Sequence, residues 1–239
     1  MTSKKFSKYL SIAIALLCAL AFVVKFGTPA LLRAYIVTGI GDCQKTPLFC
    51  KAPLEQIKDP VIDKEYIKGL ALYEFPKLTV FAPKNFTAVQ ERITKVYYKR
   101  VKRPHRGPVI YLLYQKPDFF MGLFPQLKKQ GINSDYEFIR RIMYARLDNI
   151  KNLIDSFFVI MKGVFIPDLG SENNIAMAEF TLGSKKGFIN YGLGLKDNYF
   201  DCNIIDSRAG FFKVYIKDRG AQLDLNKVLA IISTIEKAP

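Results

Sequence analysis

The chain has 239 residues, half of them apolar, with no tryptophan and a single histidine, and its formal net charge is +15. That length allows one large domain or two small ones, and that apolar content excludes a chain too polar to build a core. One histidine excludes any metal motif that needs two. The charge is uneven: +5 over residues 1–83, +10 over 84–151 and zero over 152–239. A basic excess confined to the middle of the chain points to an anionic partner there.

The chain begins with Lys4, Lys5 and Lys8, then an uncharged, mostly apolar run from Tyr9 to Val24, closed by Lys25 and Phe26. The run is at the short end of what crosses a bilayer as a helix. Ala19-Leu20-Ala21 offers a small-residue cleavage site, as in a secretory signal. Phe22, Val23 and Val24 continue the apolar run past it, which favours an uncleaved signal anchor. We therefore expect residues 1–26 to be a transmembrane helix. The basic tail then lies in the cytoplasm and the rest of the chain is extracytoplasmic.

Residues 27–77 read as a membrane-proximal helix followed by a connector. In "TPALLRAYIVTGIG" Thr28 is a candidate cap, Pro29 suits the first helical turn and Gly39 ends it. The helix is apolar enough to lie on the membrane or pack on the folded domain. Cys43 and Cys50 bracket the short loop "CQKTPLFC". In an oxidising compartment they would pair as a disulfide; the alternative is two unpaired thiols. From Asp42 to about Lys77 little regular structure is expected, except around "KEYIKGLALYEF".

Residues 78–239 read as one α+β domain. "LTVFAP" is a short strand. "VIYLLYQ", Val109–Gln115, reads as a buried strand, forming a hairpin with the basic run that precedes it around Pro104 and Pro108. Phe119, Phe120, Met121, Leu123 and Phe124 form an apolar cluster. "SDYE" from Ser134 is a capping box that opens a helix. Met143, Leu147, Ile150, Ile154, Phe157 and Met161 then recur at helical spacing, predicting one long apolar stripe. Four strand-length runs follow, "NIAMAEFTLG", "GFINYGLGL", "YFDCNIID" and "FFKVYIKD", separated by short turns. They predict an antiparallel four-strand meander. A last amphipathic helix starts at Asp224 and carries Leu225, Val228, Leu229, Ile232 and Ile235. The fold expected is an antiparallel sheet containing the meander, packed with amphipathic helices behind the N-terminal anchor.

Chemistry is sparse. "GIG" at Gly39 and "GLG" at Gly192 are too short for a nucleotide-binding loop, and no G-x-S-x-G nucleophile turn occurs. Asp197, Asp201 and Asp206 match no calcium loop. No metal and no cofactor are expected. The feature that stands out is "KVYYKRVKRPHRG", with Lys95, Lys99, Arg100, Lys102, Arg103 and Arg106 around Tyr97 and Tyr98 and no acid. One reading is an edge strand whose charges block pairing with other chains. Another is an anion-binding surface for acidic lipid, an anionic polymer or an acidic protein. Nucleic acid is disfavoured by the extracytoplasmic placement. The expectation is a membrane-anchored binding protein with a basic surface. The rival is a membrane-tethered enzyme whose site is assembled from scattered side chains, which a carboxylate-lined pocket would favour.

Overall fold

The computed structural model describes residues 27–45, 47–90, 107–166, 175–194 and 197–238. The predicted anchor at Tyr9–Val24 and every residue from Lys95 to Arg106 lie outside these. No helix among the described residues is long and apolar enough to cross a membrane.

The fold is α+β. Its frame is the meander of β6 (Ile175–Leu182), β7 (Lys185–Leu193), β8 (Asp197–Asp206) and β9 (Gly210–Arg219). Turn chemistry sets the strand ends. Gly183 takes a left-handed φ of 58° between β6 and β7. Between β8 and β9, Asp206 Oδ1 accepts from the amides of Arg208 and Ala209.

Strands from the N-terminal half extend the meander, two on one side and one on the other. β5 (Val109–Gln115) pairs antiparallel with β9, and β4 (Thr87–Gln90) adds outside it in parallel. At the other edge β1 (Glu55–Lys58) pairs parallel with β6. The sheet order is β1-β6-β7-β8-β9-β5-β4, so the sheet is mixed rather than wholly antiparallel. The basic run expected to form a hairpin with β5 around Pro104 and Pro108 lies outside the described residues. Over Val109–Leu112 both sides of β5 are occupied, by β9 and by a parallel β4 in register Thr87↔Val109.

In the segment expected as a connector, α2 (Lys64–Lys68) and β2 (Ala71–Phe75) fall on "KEYIKGLALYEF", the stretch excepted from that reading, whereas β1 is regular structure the sequence did not suggest. β2 pairs with β3 (Leu78–Ala82), and β10 (Glu236–Lys237) closes this small antiparallel sheet on the other side of β3.

Both faces of the large sheet are covered, which is why its strands read as nearly continuous apolar runs. Phe211 and Phe212 show the alternation: adjacent in β9, they enter different cores. On one face Phe180, Ile189, Phe200, Ile204, Phe212 and Val214 pack on Val228, Leu229 and Ile232 of α6 (Leu225–Ser233) and on Leu78 and Val80 of the small sheet. On the other face Met177, Phe188 and Phe211 meet three helices: α3 (Phe119–Leu123), α4 (Asp135–Tyr144) and α5 (Leu153–Phe165). Phe120 stands at the centre of that core, in ring contact with Phe138, Phe165 and Phe211. Phe119, Phe120, Met121 and Phe124 of the expected cluster thus belong to a packed core, whereas Leu123 is exposed. A third, smaller cluster joins Ile36 of α1 (Thr28–Ile40) to Leu147, Ile150 and Val159 of the α5 region.

The single long stripe expected from Met143 to Met161 is two helices. α4 stops at Tyr144, a 3-10 turn covers Leu147–Asn149, and Asn152 caps α5 through the Asp155 amide at 2.9 Å. Apolar spacing cannot reveal this break, because both helices and the turn feed the same core.

Two buried lysines tie the helix ends down. Lys162 of α5 donates to the carbonyls of Met143 and Ala145, where α4 ends, and of Lys51. These α4 carbonyls have no partner within their helix, so the lysine satisfies them. Lys51 directly follows the disulfide that joins Cys43 to Cys50, whose Cα atoms are 5.6 Å apart. Lys213 of β9 donates at 2.6 Å to the carbonyl of Phe165, where α5 ends, and pairs with Asp201 of β8 at 2.8 Å.

Candidate functional site

The cavity that combines polar groups with an apolar floor lies on the α6 side of the large sheet. It is a cleft of about 430 Å³ between α2, the β3–β4 turn and the start of α6. Each wall is fixed by local chemistry. Asp63 caps α2 by accepting from the Tyr66 amide at 3.0 Å. The β3–β4 turn closes with the Phe86 amide on the Pro83 carbonyl, and the Tyr73 hydroxyl of β2 donates to both Pro83 and Phe86 carbonyls. That clamp sets Lys84 and Asn85 at the turn's exposed tip. The third wall is the loop into α6. Buried Asp218 accepts from the Leu223 amide at 2.6 Å, Asn198 donates to the Leu223 carbonyl at 2.8 Å, and Asp224 caps the helix through the Lys227 amide.

Leu70, Phe86 and Leu223 make the floor, and Gln222, Lys84, Asn85 and Lys227 surround it. The Lys227 ammonium donates to the Gln222 carbonyl at 2.9 Å and lies 6.0 Å from the centre of the Tyr66 ring. Lys84 makes no hydrogen bond or ion pair among the described residues. The Tyr66 hydroxyl is occluded from solvent and has no hydrogen-bond partner among the described residues. Burial, helped by the nearby charges of Asp224 and Asp218, pushes its pKa up to about 12. It therefore stays protonated and has a hydrogen to give. An occluded donor without an acceptor is costly unless something completes it. The cleft is lined by lysine, amide and phenol groups and by no carboxylate side chain.

The carboxylates of the fold are engaged elsewhere. Glu179 of β6 accepts from Tyr136, from Tyr144 at 2.7 Å and from Arg140 at 3.4 Å, all on α4. Burial works to raise its pKa, but these phenol bonds and the arginine charge outweigh it and hold the carboxyl below its ordinary range. Both Glu179 oxygens accept from these donors, which favours the ionised carboxylate. Asp197 accepts from Tyr199, and Asp206 serves its own turn. Among the described residues no group of His, Cys, Asp and Glu side chains is arranged to hold a metal ion.

Lys95, Tyr97, Tyr98, Lys99, Arg100, Lys102, Arg103 and Arg106 lie outside the described residues. The two ends of the basic segment are defined by their neighbours: it leaves β4 after Gln90 and rejoins the fold at Gly107. There the Pro108 carbonyl accepts from the Thr87 amide at 3.1 Å, three residues along the chain from Lys84. The cleft itself was missed in the sequence, because Tyr66, Lys84 and Lys227 come from three separate elements. The only local sign was the turn chemistry of "PKN". No protein family, curated protein or solved structure matches this chain.

Proposed function

We propose that this is a membrane-anchored, extracytoplasmic binding protein that takes an anionic ligand, using the basic segment Lys95–Arg106 together with the cleft. The observation that carries the reading is the Tyr66 hydroxyl, a buried donor with no acceptor among the described residues, set in a cleft that carries the Lys84 and Lys227 ammonium groups. An anion seated between the Lys84 and Lys227 ammonium groups would gain charge-assisted contacts, and a shift of Tyr66 that brings its hydroxyl to the cleft would give that donor an acceptor. The absence of carboxylates from the cleft lining favours a binder over an acid–base enzyme. The Cys43–Cys50 disulfide fits an oxidising, extracytoplasmic setting.

The test uses the full chain in nanodiscs of uncharged phosphatidylcholine, titrated with polyphosphate. Two variants are compared with the parent: Lys84→Gln with Lys227→Gln, and Lys99, Arg100, Lys102 and Arg103 all changed to Gln. Each should weaken binding by about tenfold or more, the equivalent of about 1.4 kcal/mol. Added salt should weaken the parent most, because exposed charges are screened over about 8–10 Å near physiological ionic strength. Unchanged affinity in both variants would reject the proposal. Unchanged affinity together with new self-association in the quadruple variant would assign the basic segment to edge protection instead.

A further inference from the structure

Helix α1 has an apolar face that nothing among the described residues covers. Its inner side, with Ile36 buried and Leu32 and Val37 partly so, packs on α5. Its outer side carries Leu31 and Tyr35, 72% and 75% exposed and one turn apart. Arg33 is the only charged residue of the helix. On neighbouring α5, Leu153, Ile160 and Val164 are also exposed, at steps of seven and four that place them on one side of that helix. A helix apolar on nearly every side is normally buried in protein or in lipid.

What lies next to this face follows from the chain itself. The apolar run ends at Val24, four residues before Thr28. A chain spans at most about 3.6 Å per residue, so α1 begins within about 15 Å of the end of that run. No acidic residue precedes Asp42, whereas Lys4, Lys5, Lys8, Lys25 and Arg33 do. That composition suits a surface bearing acidic headgroups. Tyrosine and arginine are also side chains that settle at the boundary between lipid and water.

We propose that the outer face of α1, with Leu153, Ile160 and Val164 of α5, rests in the interfacial layer of the membrane, so that the folded chain is held against the bilayer rather than swinging on a tether. This rests on the reading of residues 9–24 as an anchor. It gives the extracytoplasmic unit a defined side toward lipid, with α6 and the cleft on the opposite face of the large sheet.

The chain contains no tryptophan, so Leu31→Trp and, separately, Tyr35→Trp each place a single fluorophore on the face. Val61→Trp is the control, 98% exposed beside α2 on the α6 side of the sheet. Full-length chains are reconstituted in vesicles of phosphatidylcholine and phosphatidylglycerol, with and without lipids brominated near the headgroup. Expected is strong quenching of both α1 probes by the brominated lipid, with protection from aqueous iodide, and the reverse for the control. Carbonate extraction of the same samples reports on the anchor separately. In chains that resist carbonate, an α1 probe open to iodide and untouched by brominated lipid overturns the docking and leaves the anchor standing. In chains that carbonate releases, the anchor reading fails, and quenching before extraction then decides docking alone. Probes shielded from both quenchers would mean that protein, a second copy or another chain, covers the face, and that also overturns the proposal.

Discussion

Replacing Lys213 with methionine removes one member of a charge pair whose side chains are 4% and 0% exposed, Lys213 and Asp201. The Asp201 carboxylate is then left in the core with the Asn190 amide, 3.5 Å away, as a weak donor, and the Phe165 carbonyl loses its ammonium. Removing one partner of a buried pair costs about 3–5 kcal/mol, mainly through the charge left behind. In a chain of this size each kcal/mol moves the melting temperature by about 2–4 °C, so Tm should fall by about 6–20 °C. The loss should depend on pH with a definite sign. Burial already drives the Asp201 pKa above 3.8, against the pull of Lys213; without the lysine it rises further. A carboxyl raised in the folded state binds its proton more tightly there than in the unfolded chain. Its contribution is intact below the unfolded pKa and is lost as pH rises through the folded one. The deficit of Lys213→Met should therefore grow by up to about 1.4 kcal/mol per pH unit between the folded pKa of Asp201 in the parent and its higher value in the variant, and be flat on either side. Urea unfolding of both proteins from pH 5 to pH 8 measures this. Adding Asp201→Leu removes the stranded charge and should recover more than half of the loss. A deficit below about 1 kcal/mol at pH 7, a deficit that ignores pH, or a double variant worse than the single would refute the argument.

Gly187→Ala should be among the most damaging single-methyl changes, because a Cβ there would overlap the Asn203 carbonyl oxygen and lie 2.9 Å from the Phe180 ring; a loss of about 1–3 kcal/mol is expected in urea melts, and a neutral result would show that β7 and β8 can separate at no cost. Burial pulls Lys162 down to about 7, with the Arg146 charge acting in the same direction. Between about pH 7 and the ordinary lysine value of 10.5 the unfolded chain holds a proton that the folded chain lacks, so the stability of the parent relative to Lys162→Met should rise with pH across that window, and a flat difference would refute it. Cys43→Ser with Cys50→Ser should lower stability by about 2–3 kcal/mol without reductant and leave it equal to that of the reduced parent; two freely labelled thiols in the unreduced, unfolded parent would show that the bond is not made.

The meander was legible because its turns carry their own chemistry: glycine at a left-handed position, and an aspartate bonding the amides after it. The starts of α4 and α6 were legible for the same reason, through Ser134 and Asp224. Strand pairing was not. Nothing in "TAVQ" marks β4 as the parallel neighbour of β5, and β1 owes its pairing to a strand more than a hundred residues away. The buried lysines were also hidden. Lys162 and Lys213 have backbone carbonyls among their partners, and carbonyls leave no mark on a sequence. In a one-dimensional reading a lysine on an apolar element looks like its solvent face. Asp201, which matches no motif in the sequence, is its core counterpart.

The parallel joints at the two sheet edges have a consequence for the order in which the protein can be made. β1 is complete at Lys58, yet its partner β6 begins at Ile175. β3 is complete at Ala82 but waits for β10 at Glu236, close to the end of the chain. At synthesis rates of about 5–20 residues per second, β1 is without its partner for on the order of ten seconds. Throughout that interval the N-terminal half exposes unpaired strands. Folding from the ribosome cannot proceed one unit after another; the last third has to arrive before the first can close. A truncated or stalled chain should therefore fall to holding chaperones and proteases as a whole, rather than leave behind a folded N-terminal fragment.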